Sequence, residues 1–173
     1  MSEIRKMETN MELLEKVLSI ENLNKAYKQV YKNKGASGVD RVTVEELYGY
    51  IREHQKEILW QIRNRKYKPQ PVRRVYIPKE NGKLRKLGIP SVMDRVIQQE
   101  IVQVLTPIYE EQFSNNSYGF RPKRSCEMAV VKVLEYFNDG YDWIVDIDLQ
   151  SFFDEVNQDK LIGIIRRTIK DGN

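Results

Sequence analysis

"VRRVYIPKENGKLRKLGIP", Val72 to Pro90, is the stretch on which the fold turns. Val72, Val75, Tyr76 and Ile77 favour extended backbone, Asn81 and Gly82 supply a turn, and Lys83 to Ile89 can return antiparallel. The spacing predicts a β-hairpin, and a basic one. From Gln61 to Pro90 ten lysines and arginines stand against Glu80 alone, whereas the whole chain carries a formal net charge of only +4. The remainder is therefore net acidic. A concentrated basic segment in such a chain suits a polyanion, and a solvated charged face is the competing reading.

Outward from the hairpin, Pro69 and Pro71 close a helix expected from Val44 to about Lys66, opened by the capping-box residues Thr43 and Glu46. Before it lies the glycine-rich loop "GASGVD", Gly35 to Asp40. The first 34 residues read as two helices, "NMELLEKVLS" and "IENLNKAYKQVYKNKG", with Ser19 as N-cap and Gly35 as the stop. After the hairpin, Ser91 is placed to cap a helix in which Val92, Val96, Ile97, Ile101, Val104 and Leu105 recur at core spacing. Thr106 and Pro107 are read as the start of another short helix. "SNNSYGFRPKRS" is a loop, Ser125 caps a helix from Cys126 to Phe137 that Gly140 ends, and Asn157 caps a last helix, Gln158 to about Lys170.

Between the last two helices stands "YDWIVDIDLQSFFDEV", Tyr141 to Val156, read as a buried strand. Period two sets Ile144, Asp146 and Asp148 on one face. Carboxylates two residues apart are roughly 6 to 7 Å from one another and repel unless water or a cation intervenes. Solvated aspartates at a strand end and a metal site both explain the pair. With His54 the single histidine and Cys126 the single cysteine, Cys and His zinc constellations and an internal disulfide are excluded. Any metal is held by carboxylates, which favours magnesium. The N-terminus is charged throughout and no run of about 18 apolar residues occurs, so a cytoplasmic protein with no membrane partner is expected. A chain of 173 residues with 40% hydrophobic residues can bury a core, and helices with a hairpin and a strand make an α+β fold with an antiparallel sheet.

Four segments, "GASGVD", "YIPKENGKLRKLGIPSVMDRVIQQ", "SYGFRPKRSC" and "DIDLQSFFDEV", follow one another in an order that resembles the reverse transcriptases of bacterial group II introns, also called intron maturases. The likeness covers most of the chain from Gly35 onward. It implies the fingers and the beginning of the palm of a right-hand polymerase. Residues 1–34 would be a helical N-terminal extension, 35–125 fingers with the basic hairpin, and 126–173 the beginning of the palm with the first catalytic motif. The implied activity is RNA-directed DNA polymerisation, joined to binding of intron RNA that assists splicing and mobility. A non-catalytic RNA-binding module, or a retron-type or diversity-generating reverse transcriptase, is the alternative.

In this family the aspartate that begins the first catalytic motif is followed five positions later by an aromatic residue. Asp148 with Phe153 fits, whereas five positions after Asp146 stands Ser151. The resemblance therefore implies Asp148 as the catalytic carboxylate and, with Leu149, part of a Mg²⁺ site. It places Lys79, Arg85, Leu149 and Phe153 at the nucleotide, with Phe153 under the sugar to reject a 2'-hydroxyl; core packing is the other reading of Phe153. Arg63, Arg73 and Arg74 are RNA-backbone contacts or solvated. Gly35, Ser37 and Gly38 lie near template and primer or merely connect, and Arg121 takes a phosphate or braces fingers on palm. Implied partners are group II intron RNA, an RNA template with a DNA primer, and deoxynucleoside triphosphates; pairing into a homodimer is open. No Tyr-x-Asp-Asp occurs in the sequence, so the chain is expected to be an N-terminal fragment with an incomplete Mg²⁺ site, inactive alone.

Overall fold

A computed structural model describes residues 13–78, 80, 82–149 and 151–170. They form two compact units, one of residues up to Thr106 and one from Pro107 to Lys170.

The first unit begins with a helical stretch over 13–17; the preceding residues of that expected helix lie outside the described ones. Helix α1, Ile20–Asn33, starts where Ser19 accepts the Asn22 amide, and its chain leaves through Gly35 at a φ of 105°. That left-handed geometry suits glycine. Thr43 and Glu46 close a reciprocal capping box: the Thr43 amide donates to Glu46 Oε2 at 2.9 Å and the Glu46 amide to Thr43 Oγ1 at 3.3 Å. Helix α2 follows as Leu47–Arg63, ending somewhat before the expected Lys66. Strands β1, Arg73–Pro78, and β2, Leu84–Ile89, pair antiparallel as the sequence predicts, in the one sheet among the described residues. Helix α3, Val92–Glu110, runs on through Pro107. A separate helix starting at Thr106 is thus corrected. A proline here removes one i to i−4 bond near the helix end, a smaller disruption than breaking the helix.

Leu23, Ala26 and Val30 of α1, Leu47, Ile51 and Ile58 of α2, and Val92, Met93 and Val96 of α3 make a single buried cluster. Each helix contributes one stripe at helical spacing. Ile101, expected to join it, is exposed. Asn22 is buried among these helices because its amide donates to Val17 O and Glu100 O while Gln103 donates to its side-chain oxygen at 2.7 Å. A buried amide survives in a core only when so satisfied.

Glu100, 3% exposed, shares a small apolar cavity with Leu18, Leu23, Ile58 and Met93. Burial pushes its carboxyl from 4.5 up to about 7. The folded unit thus holds a proton that the unfolded chain releases at lower pH. Stability from this proton is fully present below the unfolded value and is lost as pH rises through the folded one, by about 3 kcal/mol. Glu100→Gln should flatten that decline between about pH 5 and pH 8, as read from urea midpoints. Parallel pH profiles for the two proteins would assign the decline elsewhere.

The second unit holds α4, Cys126–Asn138, capped by Ser125 on the Met128 amide and followed by Gly140 at a φ of 96°. A short α5, Phe152–Glu155, lies outside the elements the sequence predicts. The last helix, α6, Gln158–Thr168, is capped as expected by Asn157, which accepts the Lys160 amide at 2.8 Å. Residues 141–149 carry no regular secondary structure, which corrects the buried strand. A strand exists only when its amides and carbonyls find a ladder partner, and among the described residues none pairs with this segment. Trp143 is 93% and Ile147 82% exposed, and no described residue of the second unit is buried. Among the described residues no helix is long and apolar enough to cross a membrane.

Candidate functional site

The hairpin register assigns each basic residue to a face. Arg73 opposes Ile89, Val75 opposes Leu87 and Ile77 opposes Arg85; between them Arg74 opposes Gly88 and Tyr76 opposes Lys86. Directly opposed residues share a face and successive ones alternate. Arg73 and Arg85 thus lie on one face, Arg74 and Lys86 on the other. Arg85 and Arg74 are exposed, and Arg73 is half-buried near the hairpin root. Lys79 falls outside the described residues.

One helical turn anchors the hairpin. Ser91 Oγ accepts the Asp94 amide at 3.0 Å and donates to Asp94 Oδ2 at 2.7 Å, closing the start of α3. Asp94, itself buried, also accepts the Tyr67 hydroxyl at 2.6 Å and the Gln70 amide at 3.0 Å. The chain that leads into β1 is therefore tied to α3. Burial, then the bond to Asp94, holds the Tyr67 hydroxyl far above its ordinary value, so it stays a donor. A Ser-x-x-Asp pattern at 91–94 is the signal that could have identified Asp94 from sequence.

The same turn holds the glycine loop. Arg95 donates to Lys34 O at 3.2 Å and to Ala36 O at 2.8 Å. Gly38 is buried against Ser91: a Cβ there would stand 2.6 Å from Ser91 Cα, closer than any side chain tolerates. Gly38 is required for that approach and offers no exposed surface. Gly35 is exposed and Ser37 half-buried.

Arg63 is held by Glu15 in a bidentate pair, Nε to Oε1 at 3.0 Å and Nη2 to Oε2 at 2.8 Å. Its guanidinium keeps the Glu15 carboxyl below the ordinary carboxylate range. Binding phosphate would require displacing that carboxylate.

In the second unit Arg121 uses its whole guanidinium internally. Nε and Nη2 donate to the Glu110 carboxylate, the shortest contact 2.7 Å, and Nη1 donates to Ser114 O and Ser117 O at 2.6 and 2.9 Å. Its side chain is 6% exposed. With the fork satisfied, Arg121 braces the loop after α3 and presents no donors for a phosphate.

Asp146 and Asp148 are both exposed, as is Leu149. Ser151 adopts a left-handed φ of 52°, turning the chain into α5, where Phe153 is 85% exposed and meets Phe152 edge-on at 5.4 Å between ring centres. Phe153 is not packed in a core here. Among the described residues no three acidic, cysteine or histidine side chains gather as a metal cage. The donor type at Asp148 nevertheless fits magnesium, which binds through one or two carboxylates together with substrate phosphates. Leu149 has only its main-chain carbonyl to offer.

A family model described as reverse transcriptase (RNA-dependent DNA polymerase) matches residues 77–171, more than half of the chain. The chain is 41% identical over 147 residues to the group II intron-encoded protein LtrA of Lactococcus lactis subsp. cremoris, covering 84% of this chain and 24% of that protein. It is 38% identical over 165 residues to protein YkfC of Escherichia coli, covering 92% of this chain and 43% of that protein. This chain thus spans less than half the length of either relative. A chain of the solved Cas6-RT-Cas1--Cas2 complex superposes with a TM-score of 0.55 at 20% identity, over 92% of this chain and 16% of that one, a likeness of fold alone. With β2, the anchoring turn of α3 and Asp148 all inside the family match, the chain belongs to the reverse transcriptase (RNA-dependent DNA polymerase) family.

Proposed function

We propose that this chain is the fingers and the beginning of the palm of an RNA-directed DNA polymerase that also binds group II intron RNA as a maturase. The family match, which runs from Ile77 through β2 to the Asp148 segment, carries the reading. The likeness to a group II intron-encoded protein supports the intron as the source of the RNA. The substrates in this reading are an RNA template with a DNA primer and deoxynucleoside triphosphates. Residues 1–34, 35–125 and 126–173 then serve as extension, fingers and start of the palm. Asp148, with the carbonyl of Leu149, is this chain's share of a Mg²⁺ shell; magnesium, when bound, supplies positive charge at the reacting phosphate.

Arg85 and Lys79 meet the triphosphate, the arginine through its planar fork and the lysine as a point charge. Phe153, exposed beside Asp148 in sequence, lies under the sugar. Arg73 and Arg74 act on the RNA backbone; Arg63, already paired with Glu15, contributes less. The exposed Gly35 and neighbouring Ser37 stand toward template and primer.

Arg85→Ala, in a polymerase-length protein carrying this chain, should raise the deoxynucleotide KM about ten-fold, because a group that positions phosphate acts on the bound nucleotide and its transition state. RNA affinity should change by less than about two-fold. Steady-state primer extension and RNA titration on one preparation decide it: weaker RNA binding with an unchanged KM would make β2 an RNA surface and remove Arg85 from the nucleotide site.

A further inference from the structure

Each face of the hairpin carries two basic residues, and the faces differ in burial at the root. On the face that carries Arg85, the root residues Arg73, Val75 and Ile89 are half-buried and Ile77, Arg85 and Leu87 are exposed, whereas Arg74, Tyr76 and Lys86 on the other face are all exposed. Tyr76 is 53% exposed, with Lys86 directly across the ladder and Arg74 two residues before it. Opposed Cβ atoms stand about 5 Å apart and i, i+2 neighbours about 6 to 7 Å, so the ring is flanked by two cations on one surface. Among the described residues neither Arg74 nor Lys86 has an acidic partner. At the root of this face Val72 lies 3.0 Å from where a Gly88 Cβ would stand, so glycine there lets Val72 lie against the strand.

We propose that Arg74, Tyr76 and Lys86 form a stacking site for an unpaired base of single-stranded nucleic acid, on the hairpin face opposite Arg85. The proposal rests on the polynucleotide-binding part of the function above and assigns it a residue and a face. A flat aromatic ring between two unpaired cations matches the chemistry of one nucleotide: the base lies on the ring and its flanking phosphates meet Arg74 and Lys86. Double-stranded RNA does not fit, because its bases are already stacked on one another and their faces are hidden. The strand is bound through base faces and phosphates, which RNA and DNA share.

Fluorescence anisotropy on this chain, with labelled oligouridylate, oligothymidylate, duplex RNA and heparin across a salt series, tests the site. Tyr76→Ala should weaken single-strand binding about ten-fold at an unchanged salt slope, because stacking releases no counterions. Tyr76→Phe, which keeps the ring, should stay within about two-fold of the parent. Duplex RNA and heparin, which expose no free base, should lose nothing in the Tyr76→Ala protein. Arg74→Ala and Lys86→Ala should each flatten the salt slope by about 0.7. A larger Tyr76→Ala loss on the uridylate or on the thymidylate identifies the preferred strand.

If the parent binds single strands but Tyr76→Ala does not weaken them, or weakens duplex and heparin equally, the stacking site is overturned while the polynucleotide reading stands. A Tyr76→Phe loss as large as that of alanine also overturns it. A parent that binds no polynucleotide at any salt concentration fells both.

Discussion

Asp148→Asn is expected to lower templated primer extension by at least about a thousand-fold, equivalent to about 4 kcal/mol of transition-state stabilisation, in a polymerase-length protein carrying this chain. The amide keeps the shape of the side chain and removes one negative charge and a hard oxygen donor. Because Asp148 is exposed on a segment with no regular structure, the substitution should leave stability within about 0.5 kcal/mol. On the proposed function, binding to RNA should be unchanged or slightly tighter, since losing a negative charge lowers repulsion of the polyanion. The five-residue spacing to Phe153 separates Asp148 from its neighbour, so Asp146→Asn should cost far less. Near-normal extension by the Asp148 variant, or equal losses at the two aspartates, would withdraw Asp148 from the catalytic role.

The largest effect on folding is expected at Asp94. Its carboxylate accepts from Ser91, Tyr67 and the Gln70 amide, and it is 3% exposed. Asp94→Ala would leave three donors in a buried setting without their acceptor, and each orphaned donor costs about 1 to 3 kcal/mol. Partial rearrangement toward water brings the total to about 3 to 5 kcal/mol, a large share of the stability of a small unit. Tyr67→Phe removes one donor and leaves the acceptor satisfied by the other two, so about 1 kcal/mol is expected. Urea unfolding of the two variants should therefore give midpoints that differ clearly. An Asp94→Ala protein within about 1 kcal/mol of the parent would mean that the knot does not hold the unit together. Because the Gln70 amide lies just before β1, the same variant should also loosen the hairpin, and with it the RNA affinity.

The element starts and turns were the most legible features. Ser19, Thr43 with Glu46, Ser91, Ser125 and Asn157 each bond an amide three residues ahead, so a short sequence window contains both partners. The hairpin is readable for the same reason: its strands are separated by only five residues in sequence, and each prefers extended backbone. Proline at 107 does not start a helix, because its local preference for that position competes with a helix already running from Val92, and continuation prevails. The candidate site was legible as residue types and spacings, Asp148 to Phe153 above all. Which donors were already engaged was not. Arg63 finds Glu15 across 48 positions and Arg121 finds Glu110 across 11, and no local pattern predicts either pair.

By itself, then, the sequence determined the caps, the hairpin and its charge, and the spacings that carry the family likeness, all of which depend on interactions within one element or between adjacent ones. Tertiary structure alone decided that Gly38 must be glycine, because Ser91 comes within a Cβ radius of it, and that one turn of α3 holds both the glycine loop and the hairpin root. It also decided the fate of the aspartate segment. Alternating apolar residues make a segment able to be a strand, but a strand is a property of two segments. Without a ladder partner among the described residues, 141–149 remains irregular with its apolar side chains in water.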